Sequence, residues 1–113
     1  MGDLVSVTVE GGIHRVTMNR PEVMNALNRA MRAEITDAVA QAAAAERVIV
    51  LTGTGRAFCS GQDLGDPSLG PDFDIGRVLA EEYEPMLRAI TDARIPVIAA
   101  VNGTAAGAGA NLA

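Results

Sequence analysis

Residues 48–64, "VIVLTGTGRAFCSGQDL", decide the fold. The run opens with consecutive apolar, mostly β-branched residues, a pattern typical of a parallel strand that is covered on both faces. A turn rich in glycine leads to "AFCS", residues 57–60, which we expect to be the short partner of that strand. A second strand of the same kind is predicted in residues 95–103, "IPVIAAVNG". These features favour the α/β class of folds.

Upstream of this stretch, the sequence predicts a β-hairpin. Apolar and polar residues alternate over Leu4–Val9 and again over Ile13–Met18, and the Gly11-Gly12 pair lies between the two runs. Alternation with period two is typical of strands that are covered on one face. Pro21 is expected to end the second strand.

The segment between the hairpin and residue 48 predicts a long amphipathic helix from Asn25 to about Ala45. Its apolar residues recur every three or four positions, which places them on one face. The residues expected in the core are Leu27, Met31, Ile35, Val39 and Ala42.

The loop 61–74 is rich in Gly, Pro and Asp, and a second helical pattern follows it. Pro85 is expected to kink or divide this helix, because proline removes a hydrogen bond from the ladder. The residues at helical spacing are Ile75, Leu79, Tyr83, Leu87 and Ile90.

A unit of two strands and a helix therefore occurs twice, and a third unit begins before residue 113. The last residues resemble the first turn of a helix and lack a capping glycine, a basic last turn or a proline. We therefore expect the chain to be a fragment that stops after the start of its third repeat.

The composition excludes several classes of protein. The net charge is −5, and all nine basic residues are scattered arginines, so no basic stripe is present for nucleic acid. The absence of lysine excludes a Walker A loop and a Schiff-base lysine. One cysteine and one histidine cannot form a disulfide or a Cys/His zinc cage, and no metal is expected. The apolar runs are shorter than the roughly 20 residues of a membrane helix, so a cytoplasmic location is the default.

Several individual residues have both a structural and a functional interpretation. Cys59 is expected to be a packed, structural cysteine rather than a nucleophile, and His14 an ordinary strand residue. Glu81 and Glu82 are expected on a solvated helix face, although helix residues here could border an acyl pocket. The glycines of residues 103–109 do not match the G-x-G-x-x-G pattern, which argues against a free-standing nucleotide-binding domain.

Three segments carry a resemblance to a known family. "NRPEVMNALN" (19–28), "VIVLTGTGRAFCSGQDL" (48–64) and "IPVIAAVNGTAAGAGANLA" (95–113) resemble, in order and spacing, the N-terminal part of the enoyl-CoA hydratase/isomerase (crotonase) superfamily. The resemblance implies a crotonase-like (ClpP/crotonase) spiral of β-β-α repeats, with residues 1–113 as the N-terminal portion of one domain whose C-terminal half is absent. It also implies an acyl-CoA thioester as substrate, no cofactor beyond that coenzyme A, and a trimer or hexamer for the full-length protein.

The resemblance further implies an oxyanion hole, in which two backbone N–H groups hold the thioester oxygen as it becomes an enolate. It places the donors at Ser60 and Ala108. The adenine end of coenzyme A is expected near Asp63 and the segment around Ala26, and Asp63 has the alternative of a turn cap. Arginines such as Arg20 and Arg29 are candidates for the CoA phosphates. The full set of expected substrate-binding residues is Ala26, Ser60, Gly61, Gln62, Asp63, Leu64, Gly107 and Ala108.

The sequence departs from the hydratase pattern at Asn111. Hydratases of the family carry a catalytic glutamate three residues after the second oxyanion donor, and an amide cannot act as a general base. "AAGAGANLA" is more similar to the isomerase branch of phenylacetate breakdown, in which a single acid further along the chain transfers the proton. The resemblance therefore favours isomerisation over hydration, with a truncated, inactive acyl-CoA- or partner-binding remnant as the alternative.

Overall fold

The computed structural model describes residues 4–45, 47–66, 70–71 and 74–113. The chain forms two β-β-α units and the short strands and first helical turns of a third, as the sequence predicts. The strands are β1 (Val5–Glu10), β2 (Ile13–Met18), β3 (Val48–Gly53), β4 (Ala57–Cys59), β5 (Val97–Ala100) and β6 (Thr104–Ala105). The helices are α1 (Arg29–Ala45), α2 (Ile75–Val78), α3 (Glu84–Thr91) and α4 (Ala108–Leu112), with a 3₁₀ turn at Pro21–Val23 and a π-helical turn at Leu79–Tyr83 between α2 and α3.

The main sheet has the strand order β1-β2-β3-β5. The predicted hairpin is confirmed: β1 and β2 pair antiparallel, with Glu10 opposite Ile13. Gly11 and Gly12, at φ 59° and 83°, make the tight turn, a conformation that favours glycine. β3 lies parallel to both β2 and β5, which confirms the parallel strands expected from the apolar runs.

The hydrophobic core lies between one face of this sheet and the helices. The whole predicted stripe of the first helical segment is buried, from Leu27 to Ala42. The sheet contributes fully buried side chains from β2 and β3, and Phe58 of β4 joins the same cluster. The largest apolar side chains of the core are Phe58, Met18, Leu27, Met31, Ile35, Ile49, Leu51 and Met86.

The predicted partner of β4 is wrong. β4 does not extend the main sheet beside β3 but pairs parallel with β6 in a separate two-stranded sheet, with Ala57 opposite Thr104. The reason is that β2 and β5 already occupy both edges of β3. The short strand therefore leaves the sheet and brings its end beside the start of the third unit.

The first helix begins later than predicted, at Arg29 instead of Asn25. Met24 and Asn25 have φ values of 54° and 57°, which a right-handed helix cannot include. Asn28 then caps the helix, because its Oδ1 accepts a hydrogen bond from the Met31 N–H at 2.8 Å.

The second helical segment is divided, as expected from Pro85. Pro85 lies in the first turn of α3, directly after the π-helical turn. The wider turn shifts the buried face to Val78, Tyr83 and Met86, whereas Ile75 and Leu79 are half exposed. Within the described ranges, every helix is too short or too polar to cross a bilayer.

Candidate active site

The site is built where the second and third units meet. The Ala106 N–H donates to the Cys59 carbonyl at 3.1 Å and so joins the end of β4 to the segment before α4. The first turn of α4 also packs so closely on the end of β4 that a Cβ on Gly109 would lie 2.0 Å from the Cys59 oxygen. Only glycine therefore allows the first turn of α4 to rest on the end of β4.

Gly61 and Gly107 shape the two loops that face each other here. Their φ values are 108° and 53°, in the region that favours glycine. A Cβ on Gly61 would lie 3.0 Å from the Ala106 oxygen and 3.5 Å from the Ala108 nitrogen. A Cβ on Gly107, by contrast, would have no described atom within 4 Å. Gly61 is thus required for both space and conformation, and Gly107 for conformation.

A single parallel bridge between Leu27 and Gln62 orients the first loop. The Leu27 N–H donates to the Gly61 carbonyl at 2.7 Å, and the Asp63 N–H donates to the Leu27 carbonyl at 3.0 Å. Because the residues on either side of Gln62 make these bonds, the N–H of Gln62 itself points away from Leu27. That N–H has no acceptor in the part of the chain that the structure describes.

The N–H of Ser60, which the resemblance assigns as the first oxyanion donor, is occupied in the structure. The Ser60 N–H already donates to the Met24 carbonyl at 3.0 Å, and its hydroxyl donates to the Val23 carbonyl at 3.2 Å. Both groups therefore fasten the loop to the turn after Pro21. The available N–H lies two residues further on, at Gln62.

The second expected donor, Ala108, lies beside Gly61. It is the first residue of α4, so its N–H has no partner within the helix. This N–H also has no acceptor outside the helix across residues 4–45, 47–66, 70–71 and 74–113. Among the described residues, Gln62 and Ala108 thus supply two N–H groups without acceptors, from loops in direct contact.

An apolar cleft of about 270 Å³ lies beside these two residues. Its walls come from the divided helix and from the start of α4, and Gln62 and Asn111 supply the amide groups at its lining. The lining residues are Gln62, Ile75, Leu79, Tyr83, Met86, Leu87, Ala108 and Asn111. Apolar helix residues therefore do border a pocket, which explains why Ile75 and Leu79 remain outside the core.

Comparison with known proteins decides the family. The family model described as enoyl-CoA hydratase/isomerase matches residues 8–113. The chain belongs to the enoyl-CoA hydratase/isomerase family. The predicted crotonase-like fold is likewise confirmed: an enoyl-CoA hydratase structure from Mycobacterium smegmatis superimposes with a TM-score of 0.88 at 34% identity, over 96% of this chain and 44% of that one.

Curated relatives of the enoyl-CoA hydratase/isomerase family carry both kinds of name. A probable enoyl-CoA hydratase of Rhodobacter capsulatus is 59% identical over 93% of this chain and 40% of its own. The 1,2-epoxyphenylacetyl-CoA isomerase of Escherichia coli is 42% identical over 100% of this chain and 45% of its own. The chain thus spans less than half the length of these relatives, and identity alone does not separate hydratase from isomerase.

Several of the residues predicted to bind coenzyme A lie together in the structure. Arg20 forms an ion pair with Asp63 at 3.0 Å and donates to the Ala26 carbonyl at 2.8 Å. Asp63 also accepts a hydrogen bond from the Gly65 N–H at 2.9 Å, which confirms the turn-capping interpretation. Leu64, at the tip of this turn, is 87% exposed.

A buried charged cluster, which the sequence did not predict, lies beneath Gln62. Arg32 of α1 is 1% exposed and pairs with Glu82 at 2.5 Å and Asp66 at 3.9 Å. Its guanidinium also stacks 4.5 Å from the centre of the Tyr83 ring. The expected solvated face is therefore correct for Glu81, which pairs with Arg77, and wrong for Glu82, whose side chain is 9% exposed.

The two expected structural residues are confirmed as such. Cys59 is fully buried, and burial raises the pKa of its thiol, so the nucleophilic thiolate is disfavoured. His14 is the second residue of β2, an ordinary strand residue.

Proposed function

We propose that this chain holds the carbonyl oxygen of an acyl-CoA thioester between the N–H groups of Gln62 and Ala108. The observation that carries the proposal is the presence of two unpaired backbone donors on touching loops beside an apolar cleft. Donors fixed in advance at the position where negative charge develops stabilise an enolate without reorganising. The cleft, lined by Ile75, Leu79 and Leu87 among others, accommodates the acyl group.

The coenzyme A portion of the substrate is proposed to lie along the turn that contains Ala26, Asp63 and Leu64. Arg20 and Asp63 neutralise each other there, which leaves Leu64 as an exposed apolar contact for the adenine ring. Arg29, with 65% of its side chain exposed at the start of α1, is the better candidate for a phosphate of coenzyme A.

The reaction proposed is double-bond isomerisation rather than hydration. Asn111 lies one helical turn after Ala108 and lines the cleft. The resemblance to the family places a hydratase glutamate at this position. Its amide can orient the thioester or the acyl group by hydrogen bonding but cannot take a proton from water. We propose that a single acid from the remainder of the protein transfers the proton, in an isomerase of the phenylacetate type.

An inactive acyl-CoA-binding module is the second candidate. It is favoured by one observation: none of the residues that line the cleft in the described part of the chain is an acid or a histidine. Turnover separates the two candidates, because a binding module holds the thioester without converting it.

The oxyanion donor at Ala108 can be removed with little change to the fold. Proline is tolerated at the first position of a helix, so Ala108→Pro deletes the N–H at a position where the ring fits. Loss of one such donor costs about 10²–10³-fold in kcat. We expect Ala108→Pro, made in the full open reading frame that encodes this chain, to lose isomerisation of a 3-enoyl-CoA to this extent.

The matched comparison is Ala108→Ser, which enlarges the side chain but keeps the N–H. Circular dichroism and thermal melts establish that both variants fold. If folded Ala108→Pro isomerises the substrate as fast as Ala108→Ser does, the N–H of residue 108 has no part in the reaction and the proposed oxyanion hole is refuted.

A further inference from the structure

Arg32 is a charged side chain with an exposed fraction of 1%, and it holds together segments that are distant in the sequence. Burying a guanidinium is costly unless its charge and its N–H groups are satisfied. Glu82 and Asp66 supply the countercharge, from the π-helical turn and from the loop after Gln62. Replacement of such buried pairs by apolar residues is often neutral or stabilising, so stability alone gives no reason for a charge here.

Two further hydrogen bonds of Arg32 reach the bridge that orients the Gln62 N–H. Its Nη1 donates to the Leu27 carbonyl at 3.1 Å and to Oε1 of Gln62 at 3.0 Å. The Leu27 carbonyl is the same atom that accepts the Asp63 N–H. One guanidinium therefore contacts both residues of the Leu27–Gln62 bridge.

Tyr83 reinforces the same arrangement. Its hydroxyl donates to Oε1 of Gln62, and the Nη1 of Arg32 approaches that hydroxyl at 3.4 Å. The Gln62 side chain is thus held by two donors on the inner side of the loop. Its backbone N–H, which points away from Leu27, keeps its direction only while this peptide stays fixed.

We propose that Arg32 is a positioning residue: it holds the Gln62 peptide through the Leu27 carbonyl and the Gln62 side chain and so aims the N–H at the thioester oxygen. Glu82 holds the guanidinium in the orientation that reaches both acceptors. This inference rests on the proposed function, since it gives Arg32 a role only if Gln62 is an oxyanion donor. Arg32 itself is not expected to touch the substrate.

The test measures polarisation of a bound thioester rather than turnover alone. Butyryl-CoA labelled with ¹³C at its carbonyl is bound to the protein from the full open reading frame, and the carbonyl resonance is recorded. Hydrogen bonds from an oxyanion hole move this resonance downfield from its position in free butyryl-CoA. We expect Arg32→Met to lose more than half of that displacement.

Arg88→Met is the matched control, because the same change is made at an exposed arginine that pairs with Glu84 within α3. We expect it to retain the full displacement. Arg32→Lys, which keeps the charge but lacks the planar fork that spans two acceptors, should give an intermediate value. Removal of a complete oxyanion donor costs about 10²–10³-fold in kcat, so a donor that is only misdirected should cost less. With a reactive enoyl-CoA, we therefore expect kcat of Arg32→Met to fall by about tenfold or more, while KM changes by less than about threefold.

Glu82→Gln replaces Arg32→Met in this test if Arg32→Met does not fold. The substitution preserves the shape of the side chain but removes its charge, which weakens the ion pair with the Arg32 guanidinium. We expect a reduced displacement in this variant also. A full downfield displacement in folded Arg32→Met overturns the positioning role. If only Glu82→Gln folds, a full displacement in that variant overturns it. In either case the proposed oxyanion hole still stands. If the unmodified protein binds butyryl-CoA without any displacement, the proposed function itself fails, and this inference fails with it.

Discussion

The side-chain amide of Asn25 donates a hydrogen bond to the Ala57 carbonyl at 2.9 Å, which joins two residues 32 positions apart. The same nitrogen donates to the Thr54 carbonyl at 3.0 Å, and Oδ1 accepts the Arg20 N–H at 2.8 Å. Asn25 is fully buried. One amide thus fastens the segment before α1 to the turn between β3 and β4, from which the loop of Gln62 emerges.

Asn25→Asp is therefore expected to destabilise the fold although it changes one atom type. The amide nitrogen becomes an oxygen that faces two buried carbonyls, and each unsatisfied buried group costs about 1–3 kcal/mol. We expect a loss of about 3 kcal/mol or more in the free energy of unfolding, measured with denaturant. Asn28→Asp is the control, since that side chain caps α1, where a carboxylate is favoured. Equal stability of the two variants would contradict the role of the amide.

Gly109→Ala tests the contact between the second and third units. The added Cβ would lie 2.0 Å from the Cys59 carbonyl oxygen, so the first turn of α4 must move. Overpacking of this kind costs about 1–3 kcal/mol, and we expect the upper end of that range because the obstacle is backbone. Gly76→Ala, in α2 with 3.4 Å to the nearest atom, should instead be neutral or stabilise by up to about 1 kcal/mol. Thermal melts of both variants give the comparison, and an unaffected Gly109→Ala would show that α4 packs differently.

Cys59 is expected to be unreactive and dispensable for catalysis. Burial raises the pKa of its thiol from the ordinary value of 9.0, so the folded protein keeps the thiol protonated at pH values where the unfolded chain begins to ionise. Any stability contributed by this difference is present below pH 9.0 and falls as the pH rises above it. Ellman's reagent at pH 8 should label the native protein far more slowly than the denatured one. Rapid native labelling, or loss of several orders of magnitude of activity in folded Cys59→Ala, would contradict this expectation.

The proposed preference for isomerisation predicts the effect of Asn111→Glu. A neutral amide at this position removes one of two proton-handling groups, each typically worth about 10²–10⁴-fold. In the full open reading frame we expect measurable double-bond isomerisation and weak hydration of a 2-enoyl-CoA, with the balance moving toward hydration in Asn111→Glu. Loss of enoyl-thioester absorbance, with product identification by mass spectrometry, measures both reactions. Efficient hydration by the unmodified protein would refute the isomerase preference.

The parts of the fold that follow from local pattern could be predicted from the sequence. Alternation fixed the hairpin of Val5–Glu10 and Ile13–Met18, and helical spacing identified the buried stripe from Leu27 to Ala42. The partner of β4 could not be predicted in this way, because it depends on which strands already occupy the edges of β3. A left-handed residue such as Asn25 likewise leaves no mark in hydropathy, so the start of α1 was placed four residues too early.

The sequence indicates both loops of the candidate site but not which N–H of the first loop is unpaired. Small residues marked both loops, but the direction of each N–H depends on pairing with a distant segment. The Met24 carbonyl occupies the Ser60 N–H, and the Leu27 bridge turns the Gln62 N–H outward. The charged cluster cannot be predicted for a related reason: Arg32 and Glu82 are 50 residues apart, and each alone is typical of a solvated helix face.

The π-helical turn at Leu79–Tyr83 sets the direction in which the side chains of α2 point relative to those of α3. A π turn amounts to one residue inserted into an α-helix, and each residue of an α-helix corresponds to a rotation of about 100°. Deletion of one residue here would straighten the helix and rotate Ile75 and Leu79 by that angle relative to α3. Different side chains would then line this wall of the cleft, although only one residue had been deleted. Chain length in this single turn is thus a variable by which a protein of this shape can alter the residues that line its cleft.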